Sequence, residues 1–384
     1  MEFRLTEEQE AIRQAVREFC EKEFTPELVE RYCEAEEFPM ELYRKACQLG
    51  FIGIHVPEEY NGQGYGVLEN ALVTEEMCRA DPDLGVTLTL ADFGAELILM
   101  FGTEEQKERW IPPVFKGETL SAAAFTEPSG GSDISKRLGT TARREGDSWA
   151  INGTKMFITN ANLSRYIITL CQTDMEVEPP YRGQTLFIVP TDAEGLDVVK
   201  LPGKLGIKCS QTCEVSYSDV RVGDEAILGE LNRGFYHTLS FLNRSRVEIA
   251  AQGVGIAQGA FERAMRYARE RELFGKPLVQ LQAVAHKLAW MATKIEAARL
   301  LTYKAAWLID QGRPDPFISS MAKWYAARVA VEVVDEAAQI YGGYFYFQDY
   351  DIQRFYRVAK VLEIYEGTKE VQKDTVARFL VKRG

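Results

Sequence analysis

A glutamate near the end of the chain is placed where a carboxylate could serve as a base. Glu366 stands in the stretch Ile364-Tyr-Glu-Gly-Thr-Lys-Glu-Val-Gln372, directly before a glycine, which tolerates backbone angles that a side chain forbids. Thr368 is a good N-cap for a helix from Lys369 to about Val381, and the free amides of a helix start favour anionic or polar ligand atoms. Dry surroundings would raise the pKa of such a carboxylate into the range of a general base. The alternative is a surface glutamate before an ordinary helix.

Two further stretches have strand character and suit a flat ligand. In Ala123-Ala-Phe-Thr-Glu-Pro-Ser-Gly-Gly-Ser-Asp133 a strand ends in a turn whose amides and hydroxyls could bind a ring edge or a phosphate. In Gly153-Thr-Lys-Met-Phe-Ile-Thr-Asn160, Phe157 and Thr159 share one face of a strand, so the ring could lean on a cofactor that the hydroxyl binds. An ordinary turn and an ordinary core aromatic are the alternatives.

Three helical stretches add charged groups and glycines. Arg246, in Asn243-Arg-Ser-Arg-Val-Glu248, heads an apolar helix and needs an anionic or carbonyl partner; a structural ion pair would also satisfy it. Arg271 and Phe274 could meet a phosphate and a ring, or the arginine could simply complement a helix dipole. Gln339-Ile-Tyr-Gly-Gly343 could bring a helix end close to a ligand, or form a plain C-cap.

The elements that must position these residues fall into three parts. Residues 1–118 show helical periodicity throughout, including one helix from about Leu84 to Phe101. Residues 119–228 are rich in strand patterns and predict a compact sandwich or barrel, with Asn152-Gly153 as a hairpin turn between two strands. Residues 229–384 return to long helices of the four-helix-bundle kind. We therefore predict an α+β protein with an N-terminal helical domain, a middle β domain and a C-terminal helical bundle.

Composition restricts the class of partner. The chain has 384 residues, of which 46% are hydrophobic, and a formal charge of -12, which argues against nucleic acid as a main partner. Seven scattered cysteines fit a reducing cytosol. With only three histidines, a metal centre is not expected. The N-terminus lacks the pattern of a signal or transit peptide, and we expect no membrane span and a cytoplasmic location.

Taken together and in this order, the five stretches and the Tyr365-Glu-Gly-Thr368 motif resemble the acyl-CoA dehydrogenase family over essentially the whole chain. The resemblance implies FAD-dependent α,β-desaturation of an acyl-CoA thioester, with Glu366 as the base that takes the α proton. It also implies a homotetramer that passes electrons to an electron-transfer flavoprotein. Phe157 departs from the family pattern, in which tryptophan is common, and so do Leu273 and Asn243.

The resemblance also implies binding residues. The implied cofactor positions are Ala123, Phe125, Thr126, Gly131, Ser132, Phe157, Ile158, Thr159, Arg271, Phe274, Gln282, Gln339, Gly342, Gly343, Thr368 and Glu370. Of these, Arg271, Phe274 and Gln339–Gly343 match positions that reach the FAD of a neighbouring subunit. The implied acyl-CoA contacts are Ser132, Asn243, Arg246, Tyr365, Gly367 and, as an unusual member, Asp92.

Asp92 is unusual because, by the resemblance, its helix lines the acyl end of the pocket, where apolar or small residues are typical. We consider three roles for it: an outward-facing or paired carboxylate, with Lys107 or Arg109 as partner; a contact to a polar acyl group; or a second base. Some relatives that desaturate alicyclic acyl-CoAs use an acid in this region. We therefore expect a compact substrate, which is short, branched or alicyclic.

Other functions remain open from the sequence. The same chemistry could run as an enoyl-CoA reductase in an anaerobe, or as an oxidase that lets oxygen reach reduced flavin. A non-catalytic acyl-CoA-binding or assembly protein would belong to another class. Retention of Glu366 and of the flavin-loop residues counts against that last alternative.

Overall fold

Eight α-helices build the N-terminal part of the computed structural model, which describes residues 4–383. They are α1 (Glu7–Glu23), α2 (Pro26–Ala35), α3 (Met40–Gln48), α4 (Val67–Ala80), α5 (Pro82–Thr89), α6 (Phe93–Phe101), α7 (Glu104–Trp110) and α8 (Pro112–Phe115). Two of them begin with capping boxes, at Thr6 with Gln9 and at Thr103 with Gln106, as the sequence predicts. Helix α2, which we did not predict, begins with proline after the N-cap Thr25, a favoured helix start.

The single helix expected from Leu84 to Phe101 is instead two helices, α5 and α6. Ser121 explains the break, because its N–H donates to Ala91 O at 3.1 Å and its hydroxyl accepts from Ala95 N at 2.9 Å. By length and composition alone, the 20-residue stretch from Pro82 to Phe101 is apolar and long enough for a membrane span. However, 78% of its most apolar 18-residue segment is buried within the protein, as in a core helix.

The middle part is one mixed sheet of eight strands within the described residues. The strands are β1 (Leu120–Ala124), β2 (Thr141–Glu145), β3 (Ser148–Thr159), β4 (Ser164–Gln172), β5 (Gln184–Pro190), β6 (Leu196–Lys200), β7 (Thr212–Gly223) and β8 (Ile227–Leu228). Their order is β6-β7-β3-β2-β4-β5-β8, and β1 pairs with β4 in parallel. The sheet brings the ends of β1 and β3, which carry the two stretches suited to a flat ligand, into one region.

The predicted hairpin at Asn152-Gly153 is wrong, because β3 runs straight through it. The turn between β2 and β3 lies instead at residues 146–147, where Glu145 pairs with Ser148. At Gly153, where φ is +142°, a Cβ would lie 2.5 Å from Thr140 Cα. The glycine therefore permits an irregular, close approach of two strands and does not form a turn.

Five helices form the C-terminal part: α9 (Gly234–Glu270), α10 (Gln282–Asp310), α11 (Pro316–Tyr341), α12 (Ile352–Ala359) and α13 (Lys369–Arg383). A small hairpin of β9 (Glu272–Leu273) and β10 (Lys276–Pro277) separates the first two. The sequence pattern alone predicts a helix that begins at Pro277, whereas α10 begins at Gln282. Helix α9 packs against both α11 and α4 of the N-terminal part. It therefore anchors the region where the three parts meet.

Candidate active site

Glu366 lies in a tight turn between a short 3₁₀ segment and α13, on the inner side of α9. Its backbone is left-handed, with φ +53°, and Gly367 follows with φ +87°. Ser245, on α9, donates its hydroxyl to Glu366 Oε2 at 2.7 Å. A left-handed glutamate is rare and persists only where its surroundings hold it. The turn therefore presents one carboxylate in a defined place.

Burial raises the pKa of Glu366. The hydrogen bond from Ser245 and the positive charges of Lys323 and Arg246 oppose this shift, but burial prevails. A raised pKa makes a carboxylate a stronger proton acceptor near neutral pH. The site thus has the properties that the sequence suggested for a base.

Arg246 is a buried cation with an unused donor. It is 5% exposed, and its Nε has no hydrogen-bond partner. One guanidinium nitrogen donates to Asn243 Oδ1 at 3.3 Å, and no carboxylate of residues 4–383 forms a salt bridge with it. The structural ion pair considered above is therefore not formed, and Arg246 keeps a donor for a carbonyl or anionic ligand.

A small cavity adjoins Glu366 through Ser245. Its volume is about 10 Å³, roughly the space of one water molecule. Helices α4, α6 and α9 form its wall, which consists of Val67, Asn70, Ala71, Phe93, Glu96, Phe241, Arg244, Ser245 and Glu248. The four residues from α9 are spaced as one helix face. The cavity next to Ser245 is thus narrow, and its wall is partly polar.

Glu96 is the ionised carboxylate of this wall. Burial would raise the pKa of Glu96, but Arg244 and His55 together hold it at about 2. His55 Nε2 contacts Glu96 Oε1 directly, and Arg244 Nε lies 3.2 Å from Oε2. The ionised Glu96 carboxylate, paired with Arg244 and in contact with His55, lies beside the cavity.

Glu248, also in the wall, has a carboxyl group whose pKa is raised. Burial and the nearby Asp92, Glu96 and Glu366 raise its pKa well above the usual range. Among residues 4–383, no hydrogen bond to its carboxyl is formed. Glu248 therefore offers an uncommitted carboxyl group to the cavity.

Asp92 does not turn outward, so our first account of it is wrong. It is 6% exposed, and its Oδ1 has no hydrogen-bond partner. Lys107 pairs with Glu104 instead, and the Arg109 guanidinium lies over the Trp110 ring. Asp92 sits just before α6, next to residues that line the cavity. Burial and the Glu96 carboxylate raise its pKa well above the usual range, against the opposing charge of Arg244.

The β-domain residues predicted to hold a flat ligand form a partly exposed surface. Phe157 has a left-handed backbone, with φ +62°, at a register shift in β3, and its ring is 67% exposed. Ile158 points into the core, so only its backbone is available, whereas Thr159 is half-buried. A Cβ on Gly131 would lie 2.9 Å from Thr126 Oγ1, which shows how tightly the loop is folded. Ala123, Phe125 and Thr126 are half-buried and Ser132 is exposed.

A second group of predicted residues lies on the outer surface of the C-terminal bundle. Phe274, at the tip of the β9–β10 hairpin, is 91% exposed. The Arg271 guanidinium lies over the ring of Tyr344, 5.6 Å from its centroid, which joins the end of α9 to the turn after α11. Gln282, Gln339, Gly342 and Gly343 are also exposed.

The last predicted residues flank the base. Thr368 Oγ1 accepts from Val371 N at 3.3 Å, which confirms it as the N-cap of α13. Glu370 is exposed. Tyr365 is half-buried and donates its hydroxyl to Gln252 on α9. Tyr365 therefore ties the turn to the bundle.

Sequence reasoning missed Ser245, Lys323 and Gln372, which contact Glu366 or its turn, and the residues of the cavity wall, among them Glu96, Arg244 and Glu248. Ser245 and Glu248 stand inside the stretch that we selected for Arg246, and Gln372 ends the stretch that we selected for Glu366. One feature of the sequence could have indicated Lys323. It stands among the alanines of α11, and a cation on a buried helix face must have partners.

Family models agree with this arrangement over nearly the whole chain. The N-terminal, middle and C-terminal domain models of acyl-CoA dehydrogenase match residues 6–118, 122–220 and 232–381. The chain belongs to the acyl-CoA dehydrogenase family. It is therefore an FAD-binding oxidoreductase that acts on the CH–CH bond of acyl-CoA thioesters.

Individual relatives are similar over almost their full lengths. The short-chain specific acyl-CoA dehydrogenase of Clostridium acetobutylicum is 42% identical, over 97% of this chain and 98% of the relative. The caffeyl-CoA reductase-Etf complex subunit CarC of Acetobacterium woodii is 38% identical, over 98% and 99%. The structure of butyryl-CoA dehydrogenase from Megasphaera elsdenii has a TM-score of 0.94 at 37% identity and covers 99% of this chain and 100% of that one.

The residues of the acyl-CoA dehydrogenase site fit FAD. The exposed Phe157 ring offers a stacking face, and the folded loop of Thr126 and Gly131 offers amides and a hydroxyl to a ring edge. FAD, when bound, supplies the capacity to accept a hydride. The chain itself supplies the Glu366 carboxylate, the buried cation Arg246 and the narrow cavity.

Proposed function

We propose that the protein desaturates a compact acyl-CoA thioester between its α and β carbons, with Glu366 as the α-proton base. The observation that carries this proposal is the half-buried Glu366 carboxylate, whose pKa is raised and which Ser245 holds at 2.7 Å. An α proton beside a thioester is weakly acidic, so hydrogen bonds to the carbonyl oxygen must also stabilise the developing enolate. Exclusion of water strengthens both effects.

We further propose that the acyl group is short, branched or alicyclic, for example one of the cyclohexane-carboxyl type. The polar side chains of Asn70, Glu96, Arg244 and Glu248 in the cavity wall disfavour a long alkyl chain, and the water-sized cavity must widen for any acyl group. Ser132, Asn243, Arg246 and Gly367 are the proposed contacts to acyl-CoA.

One experiment tests the function most directly. Purified protein should show a flavin spectrum, and compact acyl-CoAs should bleach it without oxygen more effectively than a long-chain acyl-CoA. A flavin spectrum that no acyl-CoA bleaches would favour a non-catalytic binding protein. Rapid peroxide formation in air would favour an oxidase.

The reverse direction is a second candidate. The similarity to a caffeyl-CoA reductase-Etf complex subunit supports reduction of an enoyl-CoA and an electron-transfer flavoprotein as the partner. Reoxidation of the reduced flavin by enoyl-CoA, compared with bleaching by the saturated thioester, measures which direction prevails.

We also propose a cytoplasmic location, which the seven free cysteines support.

We expect about one tightly bound FAD per chain, in sites completed across a subunit interface of a homotetramer. The reason is that Arg271, Phe274, Gln339 and Gly342 form an exposed surface away from Glu366, where only a neighbour's cofactor could use them. Light scattering and flavin absorbance on the same sample measure this. A monomer that retains its full FAD would contradict it.

Asp92→Asn is expected to change turnover of a cyclic acyl-CoA more than that of butyryl-CoA. Because burial raises the pKa of Asp92, its carboxyl favours the neutral form, and asparagine preserves its size while it removes the ability to exchange a proton or donate an O–H bond. The measurement is the ratio of kcat/KM for the two substrates. Asp83→Asn is the matched control, since Asp83 is buried with a raised pKa but accepts a bond from Lys208 N, remote from the cavity. Equal effects on both substrates would leave Asp92 a structural residue.

A further inference from the structure

A buried lysine holds the turn that carries Glu366. Lys323, on α11, is fully buried, and its Nζ donates to Tyr365 O at 2.7 Å and to Gly367 O at 2.6 Å. These two carbonyls lie immediately before and after Glu366. The lysine therefore fixes the backbone on both sides of the base.

A second side chain completes the support of the turn. Gln372, on α13, donates its Nε2 to Glu366 O at 2.9 Å and to Gly367 O at 3.2 Å. All three carbonyls of residues 365–367 thus accept bonds from side chains. Such bonds can maintain the left-handed backbone of Glu366 and Gly367, since buried carbonyls need donors and strained backbone persists only where its surroundings fix it.

Lys323 differs from Gln372 because it can also carry charge. Burying an ammonium group is costly, and burial lowers the pKa of Lys323 to about 7. A neutral glutamine can bind carbonyls, as Gln372 does, so hydrogen bonding alone does not require a lysine. What the lysine adds is a positive charge close to a carboxylate.

The charged surroundings of this pair come from several elements. The groups that act on Lys323 or Glu366 are Ser245 and Arg246 from α9, Glu363 from the 3₁₀ segment, and Glu370 from α13. Glu366 in turn acts on Glu248 and Tyr365. Arg246 and Lys323 are the cations that lower the pKa of Glu366.

We propose that Lys323 is a positioning residue for Glu366, which fixes the turn that carries the base and keeps its carboxylate ionised. This inference rests on Glu366 being the base of the proposed reaction. A neutral amine still has two N–H donors for the two carbonyls, so Lys323 holds the turn in either protonation state. Its effect on charge is present only while it is protonated.

The direction in which a substitution of Lys323 moves the pH dependence of the rate follows from the loss of its positive charge. Glu366 must be deprotonated to act, so the rate falls as the pH drops through its pKa. Removal of a nearby positive charge raises that pKa. The acid limb of the rate profile must therefore move to higher pH when Lys323 loses its charge by substitution.

The test compares three variants of the FAD-loaded protein. Flavin reduction by saturating butyryl-CoA is followed without oxygen from about pH 6 to about pH 9. Lys323→Met should lower the limiting rate about tenfold or more, leave the apparent Kd of butyryl-CoA nearly unchanged, and move the acid limb upward. Gln372→Leu should lower the rate without moving the acid limb. Lys204→Met should do neither, since Lys204 is a largely buried lysine that bonds to Ser210 in the β domain.

The outcomes separate this inference from the proposed function. A normal rate and an unmoved acid limb in Lys323→Met, beside an inactive Glu366→Gln, would overturn the role of Lys323 alone. Normal reduction in Glu366→Gln would instead remove the base assignment. If Lys323→Met loses FAD, Lys323→Gln keeps an N–H donor without the charge and should show the same shift. Loss of FAD from both variants would overturn the inference, because Lys323 would then serve the cofactor site or the fold.

Discussion

Replacement of Glu366 by glutamine is expected to slow flavin reduction by several orders of magnitude while FAD and acyl-CoA remain bound. The amide retains the size of the side chain and can still accept the hydrogen bond from Ser245, but it cannot take a proton. The loss should therefore fall on kcat, with little change in substrate affinity. Stopped-flow absorbance of the flavin measures the rate, and spectral shifts on titration with acyl-CoA measure binding.

Glu248→Gln is the matched comparison for this experiment. Glu248 lies in the cavity wall one helical turn from Ser245, and its pKa is raised well above the usual range. Because Glu366 is the proposed base and Glu248 is not, this variant should reduce its flavin at a rate within about tenfold of the parent. If instead Glu248→Gln is inactive and Glu366→Gln is not, the base is Glu248.

Gly255→Ala is expected to destabilise the protein, although glycine to alanine normally favours a helix by roughly 1 kcal/mol. A Cβ at this position of α9 would lie 2.2 Å from Glu75 O and 2.9 Å from Cys78 Cβ, both on α4. The backbone carbonyl cannot move aside without shifting α4. Overpacking of this kind typically costs about 1–3 kcal/mol, so we expect a net loss of stability and a lower melting temperature.

Gly343→Ala provides the control for stability. It adds the same methyl group where no atom lies within 4 Å, so its melting temperature should match the parent. Because α4 and α9 both line the cavity, Gly255→Ala should also weaken turnover of the best substrate. A melting temperature equal to that of Gly343→Ala would show that the two helices can separate at little cost.

The sequence predicted the helical elements better than it predicted the turns. Capping boxes at Thr6 and Thr103 and the N-cap at Thr368 are local signals, and the structure confirms them. Asn152-Gly153 is also a strong local signal, but tertiary packing overrode it, since the strand needs a glycine where Thr140 approaches. The break between α5 and α6 depends on Ser121, which lies more than twenty residues further along the chain, and no local pattern could reveal it.

The same limit applies to the site. Glu366, Arg246 and Phe157 could be selected from short stretches because their types and neighbours were unusual for their positions. Lys323 and Glu248 could not, because their roles depend on helices that are distant in sequence. Asp92 was recognised as unusual, but its environment was misjudged. The expected cation partners face other residues, and the carboxyl is buried with a raised pKa.

The support of the base has a consequence for the order in which a newly made chain becomes active. Ser245 on α9 and Lys323 on α11 emerge during synthesis well before Glu366, and Gln372 emerges after it. Chains grow at about 5–20 residues per second, so α9 and α11 have seconds in which to pack before the base arrives. The Glu366 carboxylate then enters a site that Ser245 and Lys323 already form in part. The docking of α13, which carries Gln372, completes that site. A chain interrupted within α13 would carry every catalytic group and yet hold the base loosely.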